Sequence, residues 1–131
     1  MFKSLEDCPD GTTRSLDETL ANLTYNADGL IPAIAQQQDS GEVLMMAWMN
    51  ESSIRETLST GQVCYWSRSR QTYWRKGESS GNVQKLVEMR VDCDGDCILL
   101  TVNQTGPACH TNRRDCFYNH VDENGLTVSS R

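Results

Sequence analysis

Val83-Gln84-Lys85-Leu86-Val87-Glu88-Met89-Arg90-Val91-Asp92-Cys93-Asp94-Gly95-Asp96-Cys97-Ile98-Leu99-Leu100-Thr101-Val102 is the stretch whose reading decides the fold. Val87, Met89 and Val91 recur at every second position with Glu88 and Arg90 between them, the alternation of a strand with one buried face. Asp94-Gly95 is a two-residue hairpin signal. The run from Ile98 to Val102 returns the chain as a second strand. The segment therefore predicts a β-hairpin whose tip carries three aspartates and a cysteine.

Working outward, the same grammar repeats. Leu30 to Ala35 reads as a strand, with Pro32 favouring its start or an edge. Asp39-Ser40-Gly41 is a turn, and Glu42 to Trp48 is a second strand. Asn50 is placed to cap a short helix with Ile54 and Leu58 on one face, and Gly61 fits its left-handed end. Val63 to Ser67 and Thr72 to Arg75 are aromatic-rich strands. The expectation is an α+β, mainly β fold of short antiparallel strands and hairpins with one short helix. Residues 1–28 are expected to be a weakly structured or partly helical lead-in, 29–120 the functional domain, and 121–131 a carboxy-terminal tail.

Bulk properties narrow the class. A chain of 131 residues with 37% hydrophobic content can build one core. No apolar run is long enough to cross a bilayer, and the first residues lack the apolar stretch of a signal peptide. A cytoplasmic protein is expected, and in a reducing compartment six cysteines point to metal binding or chemistry before disulfides. Cys8, Cys64 and Cys97 read as small hydrophobes or free thiols. The net charge of −6 argues against nucleic-acid binding. Half of the 12 Lys and Arg, namely Arg68, Arg70, Arg75, Lys76, Arg113 and Arg114, crowd into two short stretches. They suggest either an anion pocket or a solvated turn.

Two kinds of metal ligand lie within 25 residues. Cys93, Cys109 and Cys116 offer soft thiolates suited to zinc, while Asp92, Asp94 and Asp96 offer hard oxygens suited to magnesium, calcium or manganese. An EF-hand fails, because the sixth and twelfth loop positions hold Cys97 and Asn103 in place of glycine and glutamate. An acidic, solvated hairpin tip stays open as the bland alternative. Three thiolates without a fourth lean towards a catalytic zinc site, which leaves a position for water. His110 follows a proposed ligand and is placed to move protons near the metal, whereas His120 reads as structural.

These residues resemble phosphoribosyl-AMP cyclohydrolase. The likeness runs from Asp28-Gly29-Leu30-Ile31-Pro32-Ala33 through Ala47-Trp48-Met49-Asn50, Tyr65-Trp66-Ser67-Arg68-Ser69-Arg70, Trp74-Arg75-Lys76-Gly77-Glu78 and Val91-Asp92-Cys93-Asp94-Gly95-Asp96 to Gly106-Pro107-Ala108-Cys109-His110-Thr111 and Cys116. The resemblance implies a hydrolase of histidine biosynthesis that opens the adenine ring of phosphoribosyl-AMP at the N1–C6 bond. It implies zinc on Cys93, Cys109 and Cys116, one ion per subunit with ligands shared across an intertwined homodimer. It also implies magnesium on Asp92, Asp94 and Asp96, and zinc-activated water as the nucleophile. Arg68, Ser69, Arg70, Lys76, Ser79 and Ser80 are candidates for phosphate or ribose contacts, and Trp66 or Trp74 for stacking on a base or for sheet packing. The chain ends soon after Cys116, so a stand-alone enzyme is expected. A non-catalytic zinc-stabilised binding module is the alternative. A zinc deaminase lacks its histidine-glutamate and Pro-Cys-x-x-Cys elements here.

Overall fold

The structure, a computed structural model, describes residues 1–131. Two short helices, α1 (Phe2–Leu5) and α2 (Leu16–Asn22), precede strands β1 (Ile31–Gln37) and β2 (Val43–Met49). Helix α3 (Glu51–Thr60) follows, then β3 (Cys64–Ser67), β4 (Thr72–Arg75), β5 (Gln84–Val91) and β6 (Ile98–Gln104). A terminal pair, β7 (Asn119–Asp122) and β8 (Gly125–Val128), forms a separate two-stranded sheet. The six-stranded sheet has the order β4-β3-β2-β1-β6-β5. The mainly β, α+β expectation holds, with two changes. The chain has three helices where one was expected, and β1 pairs with β6 in parallel, Ala33 opposite Ile98 to Gln37 opposite Val102. No helix is long and apolar enough to cross a membrane.

Alternation on β1 is regular: Ile31, Ala33, Ala35 and Gln37 are buried, and Pro32, Ile34 and Gln36 face the other side. Ile31, Ala33 and Ala35 join Leu44, Met49, Ile98, Leu100 and Val102 in the core. On β5 the expected face is corrected. A β-bulge between Leu86 and Glu88 shifts the register, so Leu86, Met89 and Val91 line up with the core residues of β6 and Val87 is left 47% exposed. The 61–63 segment closes the sheet on itself. Gln62 bridges Lys85, the Val63 N–H donates to the Gln84 carbonyl, and the Leu86 N–H donates to Gly61. Inside the curl, the fully buried Tyr65 hydroxyl donates to Gln84 Oε1 at 2.7 Å. That bond satisfies a polar group that would be costly to bury alone.

Helix α3 starts on a capping box. Asn50 Oδ1 accepts from the Ser53 N–H, and Ser53 Oγ accepts from the Asn50 N–H. It ends at Gly61 with φ 74°. Its buried face is Ile54 with Thr57, not Leu58, because Thr57 Oγ1 accepts from the Cys64 N–H at 2.9 Å and ties the helix to β3. Gly77 lies against the Asn82–Val83 backbone at φ +81°, where a Cβ would collide with main-chain atoms. Gly77→Ala is therefore expected to cost about 3 kcal/mol or more, since backbone cannot move aside as a side chain can. Asn50→Ala, losing one cap acceptor, is expected to cost about 1 kcal/mol. Urea denaturation of both variants checks this order, and a Gly77→Ala midpoint at or above that of Asn50→Ala would contradict it.

Candidate active site

The aspartates occupy a loop wider than a two-residue turn. The Asp92 N–H donates to the Cys97 carbonyl, and Asp92 Oδ1 accepts from the N–H groups of Asp96 (2.9 Å) and Cys97 (3.2 Å). The side chain of Asp92 thus organises the loop that its own register begins, as a local acceptor that competes with the strand ladder. Gly95, φ 75°, allows the turn, and its absent side chain makes room for the Phe2 ring. The Thr24 N–H donates to the Gly95 carbonyl at 2.8 Å. The lead-in is thereby packed against the acid loop, a contact between distant segments that no local sequence signal carries.

Carboxylate oxygens of Asp92, Asp94 and Asp96 lie within 4.8 Å of one another. Hydrogen bonding to the neighbouring Asp92 and Asp94 carboxylates pushes Asp96 up to about 6. For Asp92, partial burial acts upward, but hydrogen bonds from Asp96 and Cys97 hold its carboxyl below the ordinary range. Crowded like charges with hard oxygen donors are the chemistry a divalent cation relieves, so this donor set fits magnesium.

The thiols lie elsewhere. β6 spans seven residues, and at about 3.3 Å each its ends are roughly 20 Å apart. The acid loop and Cys93 precede β6, whereas Cys109 and Cys116 follow it. The Cys116 N–H donates to the Leu44 carbonyl, at the end of β2 that pairs with the end of β1. Within one chain, then, the structure does not bring Cys93 to the other two thiols. Cys93 is exposed, Cys109 buried and Cys116 half-buried.

Cys109 and Cys116 line the same cleft, near enough for each to perturb the other's ionisation. Burial acts to raise the Cys109 thiol, yet the Thr111 hydroxyl at 3.1 Å, the Thr111 N–H, the Cys116 thiol and the Arg113 guanidinium together bring it below its ordinary value. Burial, followed by the Cys109 charge, pushes Cys116 up to about 11. The two sulfurs thus differ in acidity, Cys109 the readier to lose its proton, and as paired soft donors they fit zinc.

Both thiols border a cleft of about 610 Å³. One wall is the 107–116 loop with Cys109, His110 and Cys116; the other is built from β4 and the turns around it, with Ser69, Arg70, Lys76, Ser79 and Ser80. The structure therefore gathers five of the seven proposed substrate contacts beside His110. Trp66 and Arg68 line a different cavity of about 270 Å³ with Asp28, Leu30, Asn50 and Gln71. Trp66 packs edge-on against Tyr73, and Arg68 lies 4.8 Å over the Trp48 ring. Lys76 forms the floor of the large cleft: it is 8% exposed, and Nζ donates to the Ala108 carbonyl at 2.7 Å. Burial draws its ammonium below the ordinary lysine range against the opposing pull of Cys116 and Cys109.

Trp74, a candidate for base stacking, lines the cleft where Trp66 does not, and sequence reasoning missed Asn82 and Asn112 as cleft-lining groups. Asn112 has φ 69°, an unusual conformation for which asparagine is a weak signal. Asn82 is held by contact with Gly106, where a Cβ would strike its Oδ1.

A family model described as phosphoribosyl-AMP cyclohydrolase matches residues 45–118, which hold both ligand sets and most of the cleft. The phosphoribosyl-AMP cyclohydrolase of Alkalilimnicola ehrlichii is 67% identical over 128 residues, covering 98% of this chain and 90% of that protein. That of Alcanivorax borkumensis is 63% identical with the same coverage, and that of Paracoccus denitrificans is 71% identical over 103 residues, 79% of this chain and 85% of that protein. By the span of the match and by these identities, the chain belongs to the phosphoribosyl-AMP cyclohydrolase family.

Proposed function

We propose that this enzyme hydrolyses phosphoribosyl-AMP, adding water at C6 of the adenine ring and breaking the N1–C6 bond, to supply the formimino aminoimidazole carboxamide ribonucleotide of histidine biosynthesis. The observation that carries this reading is one cleft lined by two thiols, an adjacent histidine and a wall of hydroxyls with Arg70. Zinc on Cys109, Cys116 and Cys93, and magnesium on Asp92, Asp94 and Asp96, would supply water activation and charge neutralisation. His110 takes one proton from water as the C6–O bond forms and passes it to the exocyclic nitrogen on C6. It then takes the hydroxyl proton of the adduct and delivers it to N1 as the carbonyl forms and the N1–C6 bond breaks, so both protons of water are placed. Arg70, Ser69, Ser79 and Ser80 hold phosphate or ribose oxygens, with Arg70 as the charged partner.

The active unit in this reading is a homodimer, with the cytoplasm as its compartment. Three features support the dimer. Cys93 stands roughly a strand length from Cys109 and Cys116 in one chain. The outer sheet face presents Pro32, Ile34, Trp48 and the 46% exposed Met46. On the β7–β8 hairpin, Val121, Leu126 and Val128 share one face and are 69%, 61% and 59% exposed. An apolar sheet face and a lone hairpin both need a covering layer to be stable in water. A second copy turned end for end supplies that layer and carries its Cys93 towards this chain's thiol pair.

Purified protein incubated with phosphoribosyl-AMP should consume the adenine chromophore, and a chelator should abolish the reaction. Cys109→Ala and His110→Ala should each lower kcat/KM by about 100-fold or more; near-normal turnover in Cys109→Ala would sink the zinc assignment. Sharing of ligands makes a sharper forecast. Inactive Cys93→Ala and inactive Cys109→Ala proteins, mixed and allowed to exchange subunits, should regain activity, because each mixed dimer holds one intact site. Mixtures that stay inactive despite proven exchange would refute a shared site.

A further inference from the structure

The most unusual charge in the molecule is Lys76. Lysine is rarely buried without an acidic partner, yet Lys76 is 8% exposed and no carboxylate pairs with it. Its one hydrogen bond, to the Ala108 carbonyl, leaves two of the three ammonium donors without a protein partner. The Trp74 ring, 5.3 Å away, covers it on one side. Its neighbour Arg75 is engaged elsewhere, in a two-pronged pair with Glu56. The groups left to answer its charge are the sulfurs that share its cleft, Cys109 directly after Ala108 and Cys116.

We propose that Lys76 is the fixed counter-charge of the Cys109–Cys116 thiolate pair, a positioning residue that holds the zinc-ligand loop through Ala108 and offsets the negative charge the sulfurs carry when they bind metal. The inference rests on the zinc reading above and changes the role of Lys76 from a contact for substrate phosphate. The physical case is one of paired costs. A buried ammonium without partner is expensive, and so is negative charge on the buried Cys109 or the half-buried Cys116; placed on one cleft, each lowers the cost of the other. Without metal, an ammonium buried with no carboxylate partner burdens the fold. Metal affinity and metal-free stability should therefore respond to its removal in opposite directions.

Two variants test this in the full-length chain. Lys76→Met fills the space and removes both charge and donor, whereas Lys76→Gln keeps a donor for the Ala108 carbonyl. Zinc-loaded proteins are titrated with a chromophoric chelator, the thiolate-to-cobalt absorption of cobalt-loaded protein is recorded, and metal-free proteins are melted. Both variants should release zinc at least about tenfold more readily, with altered cobalt bands, while the metal-free melting temperature stays level or rises for Lys76→Met. Wild-type zinc affinity in either variant would overturn the proposal. So would an affinity loss accompanied by a melting temperature several degrees lower, which marks a purely structural lysine. Wild-type protein serves as the control: failure to hold zinc through Cys109, judged against Cys109→Ala, would instead remove the zinc reading on which the proposal stands.

Discussion

The parallel pairing of β1 with β6 is the constraint on which the rest of the structure depends. Parallel neighbours cannot be joined by a tight turn. The chain must leave β1 by a hairpin to β2 and build α3, β3, β4 and β5 before β6 can lie beside β1. The same pairing fixes what happens at the two ends of β6. The β5–β6 connection, with the aspartates, is held at the Ile98 end, and the segment with Cys109 and Cys116 must depart from the Gln104 end. Ligands close in sequence are thereby kept a strand length apart.

The cleft is shaped by contacts between backbone segments more than by apolar packing. Gly77 against Asn82–Val83 and Gly106 against Asn82 bring the 77–82 loop close to the segment that leads to the thiols. Gln104 Nε2 donates to the Asn82 and Thr105 carbonyls and braces the same corner. Lys76 then reaches from the end of β4 to Ala108. Each wall is thus referred to the other through fixed main-chain atoms. That is how a loop without regular structure can hold functional groups within the tolerance that catalysis needs.

Much of this was legible in the sequence, for identifiable reasons. Strand alternation, the Asn50 cap and the Gly61 stop are local signals, and they appear where physical chemistry puts them. The bulge at Val87 was not legible, because a single inserted residue leaves composition unchanged while reversing which side chains face the core. Nor was the parallel β1–β6 pair, since alternation says how a strand is buried and not which neighbour it meets. For the site, residue type singled out the two candidate ligand sets. Their placement at opposite ends of one strand, the separation of Trp66 and Arg68 from the cleft, and the packing of Phe2 against Gly95 all depend on long-range contacts.

Electrostatics shows most clearly why composition alone misleads. Six cations crowd two short stretches of an acidic chain and read as either an anion pocket or a solvated turn, and the fold commits most of them locally. Arg75 pairs with Glu56 and Arg114 with Glu42, Arg113 stacks 4.0 Å over Tyr118, and Arg68 stacks on Trp48. Lys76 is buried beneath the thiols. Arg70 alone lines the cleft without an acidic or aromatic partner, beside an uncompensated Glu78. One guanidinium is a poor match for a substrate carrying two phosphates, so in the proposed function hydroxyls and backbone N–H groups supply much of the binding. The acidic loop that the proposed second copy brings to the cleft needs its charge neutralised. The role proposed for magnesium follows from that imbalance: the chain provides the carboxylates, and the positive charge they require has to come from outside it.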